Sequence, residues 1–163
     1  MSVSIYWPLP PSPPSVDTSG SGLPTRQKIE RGMAGLAPGY ELLTDVPLGT
    51  SFQLLAIEAN YPVRVALYIT SDHRDADAGR EIDTIPSGDH GVILDGIFGV
   101  SDPIDVPPPL SVKTYLVPPV FGYNGEDFPS SYIPARITML GDVNSQDNAA
   151  VTYTVIPIEA GVL

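Results

Sequence analysis

The clearest regularity in the chain is an alternation of apolar and polar positions with a period of two. In PVRVALYIT, Val63, Val65, Leu67 and Ile69 fall on one side, and Arg64, Ala66, Tyr68 and Thr70 on the other. This is the signature of a strand with two distinct faces. PARITML repeats it, with Ile137 and Met139 opposite Arg136 and Thr138. AVTYTVIPIE sets Val151, Tyr153 and Val155 against Thr152 and Thr154, then loses phase at Ile156-Pro157, as a bulge or an edge strand does. Less regular strands are expected at 41–46, 50–58, 90–98 and 110–117, and turn-forming stretches such as PLGT, NYP, PSGD, SDP, YNGED and GDVNSQDN separate them. Seven or eight short strands within residues 39–163 predict an all-β domain, an antiparallel β-sandwich of the jelly-roll or immunoglobulin-like kind.

The first 38 residues follow another pattern. MSVSIYWPLPPSPPSVDTSGSG sets Ile5, Tyr6, Trp7 and Leu9 beside Pro8, Pro10, Pro11, Pro13 and Pro14. The prolines fix φ and remove backbone donors, so the stretch is expected to be an extended arm, polyproline II in its first half and flexible through the DTSGSG run. Its bulky side chains are ones that chains normally bury. Ordering an extended segment costs about 1–2 kcal/mol per residue. Burying Ile5, Tyr6, Trp7 and Leu9 would return about 1.5–3 kcal/mol each, and a stiff proline tract loses less entropy on docking. The arm is therefore expected to dock, on a neighbouring subunit in preference to its own domain. In TRQKIERGMAGLAPGYE, a short helix over 25–36 is expected, capped by Thr25 and ended by Pro38-Gly39, with Gly32 and Gly35 weakening it. Arg26, Lys28 and Arg31 cluster here, in position to meet carboxylates of the chain itself or of a neighbour. The partner-binding residues expected from the sequence are Ile5, Tyr6, Trp7, Pro8, Leu9, Pro10 and Pro11, together with Arg26, Lys28 and Arg31.

Composition narrows the function classes. The chain has 163 residues, room for one domain and an appendage, and its 19 prolines and 15 glycines favour short strands over long helices. With 19 acidic against 8 basic residues the net charge is −11, which repels phosphate backbones and anionic membranes. Neither nucleic acid nor membrane is expected as a partner. Cysteine is absent, which removes disulfides, thiolate chemistry and cysteine-based zinc sites. The apolar N-terminal residues lack a basic flank and are broken by proline, so no signal peptide is expected, and no apolar run is long enough for a membrane span. The expected product is soluble.

Candidate chemistry is sparse. TSDHRDADAGREID gathers Asp72, Asp75, Asp77, Glu81 and Asp83, but an EF-hand loop begun at Asp75 would put Arg80 where glycine belongs and Pro86 where glutamate belongs. One begun at Asp142 puts Asp147 and Tyr153 at those places. A polar loop in which Arg74 and Arg80 pair with Asp75, Asp77 or Glu81 is the simpler expectation. His73 follows Asp72 and His90 follows Asp89, without a nucleophile elbow or zinc-binding helix. Glu58 and Glu159 follow apolar runs and read as strand-end residues facing water. P-x-x-P spacings in the arm lack the nearby basic residue that such ligands use. No catalytic residue, cofactor or metal is expected.

Across residues 39–159, the strands resemble the small β-sandwich accessory proteins of tailed-bacteriophage virions. The likeness rests on PGYELLTDVPLGTSFQLLAIEANYPVRVALYITSDHRDADAGRE, PSGDHGVILD, IPARITMLGD and VTYTVIPIE. Within these, an R-x-x-x-Y strand (Arg64 to Tyr68) precedes an R-x-x-D-x-x-R stretch (Arg74, Asp77, Arg80), and a late threonine-rich strand closes on Glu159. The resemblance implies a structural, non-enzymatic role in the virion, with capsid or tail subunits as partners and a homo-oligomer such as a trimer as the assembled form. Capsid cement or decoration is preferred to a neck or tail place, because a tether and a compact knob suit gripping a lattice. The other expectation is a carbohydrate- or ligand-binding β-sandwich module using loop tyrosines, with or without calcium.

Overall fold

A computed structural model describes residues 25–34, 37–99, 111–141 and 148–159. They form β1 (Gln27–Ala34), β2 (Glu41–Val46), β3 (Ser51–Ala59), β4 (Val63–Tyr68), α1 (Ser71–Ala76), β5 (Val92–Phe98), β6 (Val112–Tyr123), β7 (Ile133–Met139) and β8 (Asn148–Glu159). One sheet has the order β1-β8-β3-β6 and the other β2-β7-β4-β5, each of four strands. Every pairing is antiparallel. The first strand pairs with the last, the second with the last but one, and so inward to β4 and β5. A single long antiparallel ribbon rolled over itself in this way is a jelly roll. Of the two expected kinds of sandwich, the strand order selects that one, because an immunoglobulin-like domain divides its strands differently.

Period-two patterning explains the core. Val63, Val65 and Leu67 of β4, Ile133, Ala135, Ile137 and Met139 of β7, and Val151, Tyr153 and Val155 of β8 are all buried between the sheets. In β3 the register shifts between Leu54 and Ala56, so Phe52, Leu54, Ile57 and Ala59 all reach the core although their spacing is not strictly two. β6 shifts at the same place and leaves the Leu116–Pro119 stretch opposite a single residue, Leu55. Beyond it, Gly122 faces Phe52, whose ring occupies the space a Cβ would take, with the Ile93 side chain 2.9 Å from the same point.

The sequence expectation fails at 25–36. That segment contains the edge strand β1, aligned with β8 from Gln27 opposite Val155 to Ala34 opposite Asn148. Ile29 and Met33 fit a helical stripe, but they equally fit alternate positions of a strand, and Met33 is buried in the core. Gly32 weakens the helix, and pairing with β8 satisfies a whole ladder of backbone groups that an isolated short helix leaves to water. The sandwich therefore takes in residues that the sequence places in the arm. Residues 1–24, which contain the proline tract, lie outside the described residues.

Gly122→Ala forces a methyl group against Phe52 and Ile93 and is expected to lower stability by about 1–3 kcal/mol. Urea denaturation followed by circular dichroism measures it. A midpoint equal to that of the wild type contradicts this packing.

Candidate functional site

The densest polar constellation lies on the outer face of the β2-β7-β4-β5 sheet. β4 directs Arg64, Ala66 and Tyr68 outward, and the register sets Asp95 of β5 and Arg136 of β7 on either side of Ala66. Instead of meeting water, this face is covered by the excursion between β4 and β5, so that all six residues of β4 are buried. Arg64 grips Asp95 in a bidentate pair, Nε to Oδ1 and Nη2 to Oδ2, each 2.8 Å. Arg80, from the excursion, donates to the same Asp95 Oδ2 at 2.7 Å and to Asp77 Oδ1 at 2.7 Å. The Tyr68 hydroxyl donates to Asp77 Oδ2 at 2.7 Å. Arg136 donates to the Asp77 carbonyl at 2.6 Å and to the Arg74 carbonyl at 2.8 Å, while Arg64 reaches the Arg80 carbonyl at 2.9 Å.

Sheet-borne side chains thus hold the excursion twice over, Asp95 and Tyr68 engaging its Arg80 and Asp77 side chains and Arg64 and Arg136 its carbonyls. Arg64 is 6% exposed and Arg136 3% exposed, burial that is costly for a charge unless hydrogen bonds and counter-charges surround it. Burial pushes the Asp95 carboxyl up, but hydrogen bonds from Arg64 and Arg80 outweigh it and hold the group below its ordinary value. Asp77 behaves alike, with Arg80 and Tyr68 overcoming the effect of burial. Burial and the bond to Asp77 raise the Tyr68 phenol, so it stays a proton donor. Bonding to Asp95 raises Arg64, and bonding to Asp77 raises Arg80.

α1 opens the excursion, with Thr70 as its N-cap in extended backbone and the Thr70 hydroxyl accepting the His73 N–H at 3.2 Å. Glu126, from the loop after β6, accepts from the Ser71 N–H at 2.6 Å and the Ser71 hydroxyl at 2.8 Å, and these bonds lower its pKa. His73 Nδ1 lies 2.5 Å from the Thr70 hydroxyl and Nε2 lies 3.5 Å from Asp89. Hydroxyl, imidazole and carboxylate thus stand in the order of a hydrolytic triad. Here, however, the hydroxyl caps a helix and Asp89 is 94% exposed, so the group reads as a helix closure. The His73 ring fills the space where a Cβ at residue 91 would sit, and Gly91 has a φ of 55°. Two of the five carboxylates gathered in TSDHRDADAGREID turn to cations, Asp75 to Arg74 and Asp77 to Arg80. Among the described residues no three histidine, aspartate or glutamate side chains gather as a metal-binding group.

The outer face of the β1-β8-β3-β6 sheet differs. It carries a polar groove of about 380 Å³ that runs from Lys28 and Glu30 of β1 across Ala150 and Thr152 of β8 and Glu58 of β3 to Ser111, just ahead of β6. Toward β6 it carries exposed rings: Tyr115 (69% exposed), Phe121 (65%) and Tyr123 (55%). The register places Tyr115 opposite Ala56 and Phe121 opposite Gln53. Lys113 stands over the Tyr115 ring at 4.9 Å, a cation–π contact.

Of the residues expected to bind a partner, Ile5, Tyr6, Trp7, Pro8, Leu9, Pro10 and Pro11 lie outside the described residues. Arg26 is exposed ahead of β1, and Lys28 lies on the groove face. Arg31 points the other way and donates to the Asp45 carbonyl of β2, tying the edges of the two sheets. A helix would have gathered Lys28 and Arg31 on one face, whereas the strand separates them. Sequence reasoning missed Asp95, Arg136 and Glu126. An aspartate inside the apolar run VILDGIF was the available signal for the first.

Comparison of the chain with protein families, curated proteins and solved structures gave no match. Among the described residues no helix is long and apolar enough to cross a membrane.

Asp95→Asn leaves Arg64 buried without its counter-charge and is expected to cost about 3–5 kcal/mol at neutral pH in urea denaturation. The folded-state pKa values of Asp77 and Asp95 lie below their ordinary 3.8, so their contribution is complete above that value and is lost as pH falls below it. Wild-type stability should therefore drop steeply below about pH 4, and the slope should be shallower in Asp95→Asn. Equal slopes in the two proteins contradict the assignment.

Proposed function

We propose that this chain is a non-enzymatic structural protein of a tailed-bacteriophage virion, binding neighbouring virion subunits through its N-terminal arm and jelly-roll body. Capsid cement or decoration is the preferred place, ahead of neck or tail. The observation that carries this reading is the union of two features: a jelly-roll body and, ahead of its first strand, an apolar segment stiffened by proline. Jelly rolls serve as building blocks of viral shells, and an arm of bulky side chains gains stability only by docking. The virion-like spacing of Arg64, Tyr68, Arg74, Asp77 and Arg80 fits the same reading. Four of those side chains form the ionic network, and the fifth lends it a carbonyl. Their chemistry is spent on holding the excursion rigid, as a load-bearing part of a particle requires. Repetition on a lattice would multiply weak single contacts into firm attachment. The net charge of −11 suits a surface subunit better than a genome-binding one. A glycan-binding module, the other expectation, has the polar groove across the β1-β8-β3-β6 sheet at its disposal, but none of the exposed rings lines it.

Removal of residues 1–24 stops short of β1, which begins at Gln27. The shortened protein is expected to unfold at the same urea concentration as the full chain, yet to be absent from purified particles assembled in its presence. Undiminished incorporation contradicts the role given to the arm.

A further inference from the structure

We propose that the exposed aromatic face of β6 is the seat for the N-terminal arm of a second copy of this chain. The inference rests on the arm being a latch, as proposed above, but not on the particle it serves. Tyr115, Phe121 and Tyr123 project from one side of an edge strand, with Val117 89% exposed on the adjoining bulge. Among the described residues no further strand lies beside β6, so its row of exposed rings is an unpartnered surface.

Three observations identify the occupant. The first is chemical. Aromatic-lined surfaces bind polyproline segments because the proline helix is preformed and its rings stack flat on aromatic ones. The chain carries such a segment, Pro8 to Pro14, preceded by Ile5, Tyr6 and Trp7. The second is the place where that segment joins the body. Gln27 is in register with Val155, Leu54 and Val120 across the whole sheet. The arm therefore leaves the sheet level with the rings, but at the opposite edge. A head-to-tail arrangement, with the β1 edge of one copy facing the β6 edge of the next, brings the root of the arm beside the neighbour's rings. Such an interface closes into a ring when the rotation allows. Arg26 is exposed at the root and Asp127 is exposed just beyond β6, opposite charges at the two edges that would meet.

The third is reach. Ten residues separate Pro14 from Thr25, and a Gly/Ser-containing stretch of that length would span roughly 17 Å as a random coil, enough to set the proline tract on rings that the head-to-tail contact brings beside the root.

Trp7 is the chain's single tryptophan, so its fluorescence reports the arm alone. In the full-length wild type, Trp7 emission is expected at short wavelength at concentrations where light scattering shows an oligomer. Tyr115→Thr/Phe121→Thr should move it to long wavelength and weaken self-association by about 30-fold or more, with an unchanged far-ultraviolet spectrum because both side chains are exposed. The decisive step is mixing. Trp7→Ala has no tryptophan but keeps its rings, so adding it in excess to the ring-less variant should return the emission to short wavelength. Emission that stays short in the ring-less variant alone places the arm elsewhere and overturns the proposal. Emission that stays long after mixing overturns exchange between copies. Loss of particle incorporation on removing the arm, alongside either result, leaves the latch intact and condemns only this seat.

Discussion

Arg64 is the second residue of a strand in which every residue is buried, and a guanidinium cannot stay there without a counter-charge. Most of the outer layer of the molecule answers to that constraint. Asp95 supplies the counter-charge from the neighbouring strand, and Arg80 then shares it, which draws the excursion after β4 back over the sheet. Arg80 in turn orients Asp77, Asp77 receives Tyr68, and Arg136 donates to the carbonyls of Arg74 and Asp77 at the end of α1. The excursion has little apolar surface of its own: α1 has no buried residue, and Ile85 is 85% exposed. Charge and hydrogen bonding, rather than burial of hydrocarbon, fix its position.

The two faces of the sandwich are thereby given different tasks. One is closed by the ionic network and presents a rigid, mostly acidic excursion. Among the described residues the other is an open sheet face, with a polar groove across it and exposed rings on β6. In a jelly roll the first and last strands are partners, so an arm attached to β1 starts from the margin of the open sheet. The proposed latch needs only that geometry. Neither moving part nor catalytic group is required, and of the polar side chains most suggestive of chemistry, Thr70 and His73 are engaged at the N-terminal cap of α1 while Asp89 is exposed.

How much could be read from the sequence depended on whether a signal was local. Strands β4, β7 and β8 announced themselves because alternate residues face a single core, and that alternation survives in the order of the letters. β1 did not, since Ile29 and Met33 satisfy both periods, and the choice was made by the unpaired edge of β8 more than a hundred residues away. The role of Arg64, Tyr68, Asp77 and Arg80 was half visible. Their spacing is legible, and it leaves Arg74 and Arg80 a choice among Asp75, Asp77 and Glu81, but the hub, Asp95, comes from a strand whose position beside β4 only the topology sets. Arg136 was seen as an outward residue without its two carbonyl partners. The exposed rings of β6 were the least legible. Tyr115, Phe121 and Tyr123 keep period two, with Leu116 and Val120 packed on the core, but Pro118-Pro119 ends the strand expected at 110–117, and only pairing with β3 continues it to Tyr123 and sets which face meets the core.

The central claim, that a charge network anchors the excursion to the sheet, is tested most directly by limited digestion with trypsin, whose target bonds follow Arg74 and Arg80. In the wild type both side chains are engaged, and these bonds should resist cleavage. In Asp95→Asn, under conditions where circular dichroism shows the β-structure intact, the account predicts rapid cutting at these two sites while the fragments carrying β3, β7 and β8 survive. A digestion pattern identical to that of the wild type would contradict it.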